Sequence, residues 1–400
     1  MNESRGMSAA GPSQGANYIP AEGSEAAKPQ ARGGDATAAL APEYVRRIAR
    51  YVPGKPVEEL ARDYGLDPAT IIKLASNENP RGPSPEVLAA VAAAAADLTR
   101  YPDGNAFALK SAIATQFAVP SDAIVLGNGS NDVLELVTHA FLRPGDHAVY
   151  AQHAFAVYPL ATQARGATGI EVPARAFAHD LDAMRAAITP KTRVVFVANP
   201  NNPTGTWHRP DAIKAFVAKV PRDVLVVLDE AYNEYLEPSE EAHAAQWITE
   251  FPHLIVSRSF SKAYGLAALR VGYGVMDPAV ADIVNRVRQP FNVNALAQAA
   301  AIAALADSEY VAESRRLNRA GVAQLDAGLR KLGVTVLPTH GNFVLIDVGD
   351  GARVYDALLR QGVIVRPVGN YGLPNWLRVT VGLPAENERF LAALAVASSK

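Results

Sequence analysis

Short runs of β-branched and aliphatic residues alternate with longer amphipathic stretches through the middle of the chain. Short apolar runs bounded by turn residues are typical of buried strands, and apolar residues three or four apart, as in residues 132–142 and 209–220, are typical of helices. The predicted strands are residues 123–127, 147–151, 193–198, 224–229 and 254–257. Because these strands are apolar on both faces, they predict a mostly parallel sheet covered by helices on both sides.

The rhythm changes at Gln289-Pro290-Phe291-Asn292, after which an alanine-rich helical pattern leads into shorter strand-like runs. Those runs lie at residues 334–337, 343–347, 363–366 and 376–381. The fold class expected is α/β, with a large domain over residues 81–288 and a smaller α+β domain over residues 289–400. We expect residues 42–80 to form an N-terminal arm and part of the small domain.

Composition adds limits on location and partners. Residues 1–41 are rich in Gly, Ala, Ser, Pro and Gln and lack the apolar core of a secretory signal, which predicts a disordered tail. A net charge of −2 argues against nucleic acid or an anionic membrane as a partner, and no apolar run approaches the ~20 residues of a membrane helix. The chain has no cysteine, which excludes disulfides and thiolate catalysis. We expect a cytoplasmic protein without a metal.

Ligands of an open parallel sheet bind outside the carboxyl ends of its strands, so polar residues at those ends are candidates for chemistry. Asp229 ends one predicted strand, in Asp229-Glu230-Ala231-Tyr232. A carboxylate there is costly unless a cation meets it. A helix N-cap or a metal ligand is one interpretation. The protonated ring nitrogen of a bound cofactor is the other.

Lys262 follows another predicted strand, in Ser259-Phe-Ser261-Lys262-Ala-Tyr-Gly, with Arg270 shortly after. Hydroxyls and a guanidinium are good phosphate ligands, and a partly desolvated lysine has a lowered pKa that lets its neutral amine attack an aldehyde. The alternative is a lysine in a surface loop. The apolar strand before it and the Ser and Arg neighbours favour the functional interpretation.

Two further loops follow strands. Residues 127–132, Gly-Asn-Gly-Ser-Asn-Asp, open a helix, whose N-terminal N–H groups attract phosphate. They match neither the dinucleotide-binding glycine pattern nor a P-loop, so alone they are a weak phosphate site. Residues 199–205, Asn-Pro-Asn-Asn-Pro-Thr-Gly, form a stiff turn, whose asparagines could equally donate hydrogen bonds to a ligand.

Taken together, these loops resemble the fold type I pyridoxal-phosphate (PLP)-dependent aminotransferases, in the branch that contains histidinol-phosphate aminotransferase. The resemblance covers the chain beyond the tail. Besides the four loops, it includes Ala75-Ser-Asn77-Glu-Asn-Pro80, Arg100-Tyr101-Pro-Asp103 and Leu377-Arg378-Val-Thr-Val-Gly382. Order and spacing make the joint match specific.

The resemblance implies that Lys262 holds the cofactor as a Schiff base and moves the proton between substrate and cofactor. It implies that Asp229 pairs with the pyridine nitrogen, while Asn202 and Tyr232 bond the phenolic oxygen of the ring. Phe155 would lie against the ring face, although it could be an ordinary core aromatic. The expected phosphate ligands are Ser130, Asn131, Ser259, Ser261 and Arg270.

The resemblance also implies substrate contacts and a homodimer. Arg378 would clamp a substrate carboxylate, with Asn77 nearby, and Arg366 would meet a distal phosphate unless it is simply a solvated strand-end residue. Tyr101 would reach the cofactor phosphate of the neighbouring subunit, which implies shared sites in a homodimer.

The reaction implied is ping-pong transamination, in which glutamate donates its amino group and imidazole-acetol phosphate accepts it to give L-histidinol phosphate. Relatives in this branch also act on Phe and Tyr or decarboxylate phosphothreonine. Ser130-Asn131-Asp132 stands where many histidinol-phosphate enzymes carry Ala-Asp-Glu, which keeps the aromatic alternative open. A non-catalytic PLP-binding regulator would need an N-terminal DNA-binding module, for which the tail is too short and unpatterned.

Overall fold

A computed structural model describes residues 35–398. Residues 1–34, most of the predicted tail, lie outside the described residues, whereas residues 35–41 carry a short helix and a turn. The helices are α1 (Asp35–Ala38), α2 (Glu43–Arg46), α3 (Val57–Tyr64), α4 (Pro85–Ala94), α5 (Phe107–Phe117), α6 (Ser130–Phe141), α7 (Val157–Gln163), α8 (Leu181–Ala186), α9 (Pro210–Lys219), α10 (Pro278–Val287), α11 (Ala295–Ala306), α12 (Ser308–Lys331), α13 (Gly351–Leu359) and α14 (Pro384–Ser398).

The strands and the single-turn helices complete the described structure. The strands are β1 (Ile72–Lys73), β2 (Ile124–Gly127), β3 (His147–Ala151), β4 (Thr168–Val172), β5 (Thr192–Ala198), β6 (Leu225–Asp229), β7 (Leu254–Ser259), β8 (Gly272–Met276), β9 (Thr335–Val336), β10 (Phe343–Asp347), β11 (Val363–Ile364), β12 (Arg366–Pro367) and β13 (Trp376–Thr380). The 3-10 helices are Pro68–Thr70, Ala95–Asp97, Ser121–Ala123, Asn233–Tyr235, Ala244–Thr249, Ala267–Leu269 and Gly369–Tyr371.

The large sheet has seven strands in the order β2-β8-β7-β6-β5-β3-β4. Strands β3 to β7 pair in parallel, and β8 is antiparallel to both of its neighbours. The predicted mostly parallel sheet is therefore confirmed. Alternate residues of β5 belong to two different hydrophobic cores. Val194 and Phe196 pack with α6, α7 and α10, whereas Val195 and Val197 pack with α8 and α9. Both faces of the sheet are thus covered by helices, which explains the continuous apolar runs.

Strand β8 was not predicted from the sequence, because it contains glycines, which are unfavourable in the interior of a strand. Glycine weakens a strand interior but allows close approach of another backbone. A Cβ on Gly272 would collide with the backbone nitrogen of Ser130, at the start of α6. The glycine therefore brings β8 against the N-terminus of α6, and this packing sets the position of the loop that precedes the helix.

The small domain is built on a four-stranded antiparallel sheet, β12-β13-β10-β9, with α12, α13 and α14 packed on it. The arm before the large domain contributes β1, which pairs in parallel with β11. Helix α11, which the sequence placed after the domain boundary at residue 289, packs against α4 and α5 beside the large sheet. Its buried alanines allow this close helix packing. No helix within residues 35–398 is long and apolar enough to span a membrane.

Candidate active site

A cavity opens at the carboxyl ends of β5, β6 and β7, where α6 begins. Chain segments far apart in sequence meet here because these strands are neighbours in one sheet. The cavity is lined by Ser130, Asn131, Phe155, Tyr158, Ala198, Pro200, Asn202, Asp229, Ala231, Tyr232, Ser259, Ser261, Lys262 and Arg270. The structure thus brings together the residues of all four loops that the sequence singled out.

Lys262 projects into the cavity just after β7 and stays partly exposed there. Its Nζ donates to the backbone oxygen of Ser76 at 3.1 Å and lies 5.6 Å from the ring centre of Tyr232. Desolvation, helped by the positive charge of Arg378, lowers the pKa of the Lys262 amine to about 8. A neutral amine is therefore accessible near neutral pH, as a nucleophile or a proton carrier requires.

Asp229 is buried at the end of β6. Tyr158 donates its hydroxyl to Oδ2 at 2.9 Å, and the backbone N–H of Ala231 donates to Oδ1 at 3.2 Å. Burial raises the pKa of the Asp229 carboxyl to about 6, against the opposing effect of the Tyr158 hydrogen bond. No cationic side chain within residues 35–398 forms an ion pair with Asp229, so the carboxylate could pair with a cationic group of a bound ligand.

The same cavity contains a group of hydrogen-bond donors around Arg270. Arg270 Nη1 donates to Ser261 Oγ at 3.2 Å, and the N–H of Ser261 donates to Ser259 Oγ at 3.1 Å. Gly129, with φ 85°, precedes α6, and a Cβ there would collide with the guanidinium of Arg270. Guanidinium, hydroxyls and the N-terminus of α6 converge here without a carboxylate partner for Arg270 among the described residues. This donor set suits a phosphate.

Tyr232 and Asn202 flank the middle of the cavity. Burial raises the pKa of the Tyr232 hydroxyl to about 12, which keeps it protonated. Asn77 Nδ2 donates to Tyr232 Oη at 2.8 Å. Asn202 Oδ1 accepts from Arg378 Nη1, so its amide N–H groups remain for the cavity. Phe155 stands edge-on to Tyr158, with ring centres 5.9 Å apart, and forms one wall.

Two arginines of the small domain lie side by side above this cavity. Arg366 and Arg378 are register partners on β12 and β13, and both are buried. Arg378 Nη2 donates to the backbone oxygen of Ala75 at 2.6 Å, and Arg366 Nη2 donates to that of Val52 at 2.8 Å. The ring of Tyr51 packs 5.7 Å from the Arg366 guanidinium. Neither arginine has a carboxylate partner in the described part of the chain, so the pair could hold an anion.

Residues 69–394 match the family model for aminotransferase class I and II. The chain belongs to the class I and II aminotransferases. It is 62% identical over 357 residues to histidinol-phosphate aminotransferase 2 of Pseudomonas fluorescens, covering 89% of this chain and 96% of that one. It is 60% identical over 355 residues to the histidinol-phosphate aminotransferase of Methylobacillus flagellatus, covering 89% and 96%. The crystal structure of the Sinorhizobium meliloti histidinol-phosphate aminotransferase with pyridoxal-5'-phosphate superposes with a TM-score of 0.83 at 28% identity, covering 90% of this chain and 97% of that one.

These findings confirm the predicted family, the fold type I architecture, the enzyme class and the cofactor. The residues around the cavity fit PLP. Within residues 35–398, Asp229 has no ion-pair partner and could hold a protonated pyridine nitrogen, Arg270 has no carboxylate partner and could hold the phosphate, and Lys262 adds an amine of lowered pKa to the same cavity. No group of three or more His, Asp or Glu side chains within residues 35–398 is arranged to hold a metal ion.

Four of the predicted site residues lie outside the lining of the cavity, and one of them, Arg378, adjoins it through its hydrogen bond to Asn202. Tyr101 is 82% exposed and stacks on Phe291, with ring centres 4.8 Å apart, so in its own chain it points to solvent. Asn77 lies behind Tyr232 and is bonded to it. Arg366 lies beside Arg378, under the N-terminal arm.

Sequence reasoning missed several aminotransferase residues that the structure brings to the site. Tyr158 holds Asp229, and Tyr51 covers Arg366, yet each is one tyrosine in an ordinary segment. Buried Arg258 forms ion pairs with Glu230 at 2.8 Å and Glu234 at 3.2 Å, directly behind Asp229 and Ser259. Of these residues, only Arg258 and Glu230 could have been identified from the sequence, since each is a charged residue that adjoins an apolar run.

Proposed function

We propose that this aminotransferase interconverts L-histidinol phosphate and imidazole-acetol phosphate, with glutamate and 2-oxoglutarate as the other substrate pair. Relatives that are about 60% identical to it over nearly their whole length are named histidinol-phosphate aminotransferase. A cytoplasmic location, expected from the sequence, is part of the proposal.

The observation that carries the substrate assignment is the buried pair Arg366 and Arg378. Two guanidiniums without counter-anions are costly to bury, and a doubly charged phosphate or two carboxylates would offset that cost. Histidinol phosphate offers the former and glutamate the latter. The side chain of an aromatic amino acid is uncharged, so such a substrate would leave Arg366 without an anionic partner.

The chain's own residues divide the work in this proposal. Bound PLP supplies the carbonyl group that takes the amine and the ring that accepts electrons. Asp229 would hold a proton at the pyridine nitrogen, and Asn202 and Tyr232 would donate to the phenolic oxygen. Lys262, freed when substrate binds, would carry the proton at the substrate carbon that bears the amine, since its lowered pKa suits both removal and return.

Arg378 would hold the carboxylate of glutamate next to its amino group bidentately, with Arg366 at the distal carboxylate. L-Histidinol phosphate has no carboxylate, and its phosphate would lie between the two guanidiniums. Phe155 would pack on the cofactor ring. The phosphate ligands proposed are Ser130, Asn131, Ser259, Ser261 and Arg270.

The proposed active unit is a homodimer in which Tyr101 reaches the partner's site. Apolar side chains around α4 and α5 support this: Leu98 is 66% exposed, Tyr101 82% and Phe107 75%. Large exposed apolar residues clustered on one side of a molecule are typical of an interface. Multi-angle light scattering should give twice the chain mass, and a monomeric mass would contradict the proposal.

Steady-state kinetics with 2-oxoglutarate as acceptor test the substrate. We expect kcat/KM for L-histidinol phosphate to exceed that for Phe and Tyr by at least an order of magnitude. Arg366→Met should lower kcat/KM for L-histidinol phosphate roughly 10- to 100-fold, since a hydrogen bond to a charged group contributes about 1.5–3 kcal/mol. The same variant should change kcat/KM for Phe little. If kcat/KM for Phe and Tyr exceeds that for L-histidinol phosphate by an order of magnitude, the aromatic alternative is correct. Carbon dioxide release from phosphothreonine would show the decarboxylase.

A further inference from the structure

Asn77 occupies an unusual position for a residue expected to touch substrate. It is 1% exposed, and its backbone has φ 55°, a left-handed conformation that Asn tolerates better than most residues. Two small-domain residues hold it there. Its N–H donates to Thr380 Oγ1 at 2.9 Å, and its backbone oxygen accepts from Asn342 Nδ2 at 3.0 Å.

The direction of each hydrogen bond in this group is fixed by counting protons. Asn77 Oδ1 lies 3.2 Å from Thr380 Oγ1, and since an amide oxygen can only accept, Thr380 donates its proton to it while accepting from the Asn77 backbone N–H. Nδ2 of the same amide lies 2.8 Å from Tyr232 Oη, and since this nitrogen can only donate, Tyr232 accepts from it.

Tyr232 Oη is thus an acceptor on the side of Asn77, and its own proton is free to point elsewhere. No acceptor for that proton is present within residues 35–398, while Tyr232 lines the cofactor cavity. The charged and titratable groups around Tyr232 are Arg378, Asp229, Lys262, Tyr158, Tyr235 and Tyr371. None of them receives a hydrogen bond from its hydroxyl.

We propose that Asn77 and Thr380 are positioning residues that orient the Tyr232 hydroxyl, so that it donates its proton into the cofactor pocket. The inference rests on the proposed placement of Tyr232 against the phenolic oxygen of PLP. It assigns Asn77 a role other than direct substrate contact. Because Thr380 and Arg378 lie two residues apart on β13, the same strand would carry both the substrate clamp and this orienting chain.

A hydrogen bond that Tyr232 donates to the phenolic oxygen would stabilise negative charge there, and a bond that Tyr232 accepts would strengthen the one it donates. Loss of the Asn77 amide should therefore raise the pKa at which the absorbance of the loaded, substrate-free enzyme changes. We expect a rise of roughly 0.1–0.7 for Asn77→Gly, from a 10–30% contribution to a hydrogen bond to a charged group. Tyr232→Phe, which removes the donor itself, should shift it by roughly 1 or more.

The test is a pH titration of cofactor absorbance without substrate, over a set of variants. Asn77→Gly removes the amide yet suits the left-handed backbone. Thr380→Val removes the hydroxyl at nearly constant shape and should raise the pKa of the titration by the same amount. Thr380→Ser keeps the hydroxyl and should titrate at the wild-type pKa. The double variant should match Asn77→Gly alone, because both residues act along one chain of hydrogen bonds.

Kinetics separate positioning from substrate contact. Positioning predicts a lower kcat with KM for glutamate changed less than about twofold. If Asn77→Gly raises KM and leaves the substrate-free titration at the wild-type pKa, Asn77 is a substrate ligand and the inference is wrong. It is also wrong if Tyr232→Phe shifts the titration and neither Asn77→Gly nor Thr380→Val does, or if Tyr232→Phe itself has no effect.

Failure of the proposed function gives a different result. If the wild-type protein binds PLP but prefers aromatic substrates, the proposed substrate is wrong and the titration still tests the role of Asn77 and Thr380. If it binds no PLP, both the proposed function and this inference are wrong. If Asn77→Gly does not fold, as thermal unfolding would show, the Thr380→Val and Thr380→Ser pair decides alone. Equal titrations in that pair would overturn the inference.

Discussion

Replacing the buried acid by its amide, Asp229→Asn, should stabilise the cofactor-free protein while impairing the enzyme. Burial raises the Asp229 pKa from 3.8 to about 6. Because the folded pKa is the higher one, the protonated form favours folding, and this advantage is lost as pH rises from about 4 to 6. Above pH 6 the ionised carboxylate costs about 3 kcal/mol, the difference in pKa times about 1.4 kcal/mol.

The amide carries no charge and avoids this cost. Its oxygen can keep the N–H of Ala231, and the Tyr158 hydroxyl can turn to accept from its nitrogen, at a loss of about 1 kcal/mol. The variant should then be more stable than wild type by about 2 kcal/mol at pH 8. Between pH 5 and pH 8 the carboxylate cost grows by about 1.4 kcal/mol, so the advantage should grow by the same amount.

Thermal unfolding of the apo-proteins at several pH values measures this. At about 2.1 cal/mol/K per residue, the relative Tm of Asp229→Asn should rise by about 2 °C between pH 5 and pH 8. Asp122→Asn, at an exposed aspartate, is the matched control and should show no such trend. With PLP added the order should reverse, because only the carboxylate can hold a pyridinium. A pH-independent difference between Asp229→Asn and wild type would refute the reasoning.

Three further predictions concern other parts of the site. Lys262→Ala should abolish the absorbance band of lysine-linked cofactor while the fold, followed by circular dichroism, is retained; an unchanged band would exclude Lys262 as the anchor. Covalent capture of PLP by the apoenzyme should quicken as pH rises toward about 8, because only the neutral amine attacks; in stopped-flow absorbance, a rate still rising tenfold per pH unit above pH 9 would contradict a lowered pKa. Arg258→Met should cost about 3–5 kcal/mol in urea unfolding, since Glu230 and Glu234 would stay buried without a cation; a cost under 1 kcal/mol would show that the pairs matter little.

Much of the fold could be predicted because the central strands are buried on both faces. Strands β3, β5 and β6 are apolar runs that few other structures accommodate, and their ends locate the site. Strands β4 and β8 escaped prediction for opposite reasons. Thr168–Val172 lies at the sheet edge with polar, partly exposed positions, and Gly272–Met276 owes its glycines to the backbone that crowds it.

The candidate site divides along the same line. Residues whose role follows from a strand end, such as Asp229 and Lys262, are visible in sequence because a charged group beside an apolar run needs a partner. Residues whose role depends on distant partners are not. The contact between Asn77 and Tyr232 spans 155 positions, and that between Asn77 and Thr380 spans 303. Such contacts exist only once the arm, the large sheet and the small domain are assembled.

The arm is the least predictable part, and it contacts three residues of the proposed site. It supplies Ser76 to Lys262, Ala75 to Arg378 and Val52 to Arg366, in each case through a backbone oxygen. A carbonyl oxygen accepts a hydrogen bond without neutralising the cation, so these groups are oriented while their charge stays available. In the proposed site, residues 52–76 would thus orient two guanidiniums toward anions and the Lys262 amine toward an aldehyde. Acidic side chains at the same places would satisfy the arginines and lower their affinity for a substrate anion, which explains physically why the arm uses its backbone.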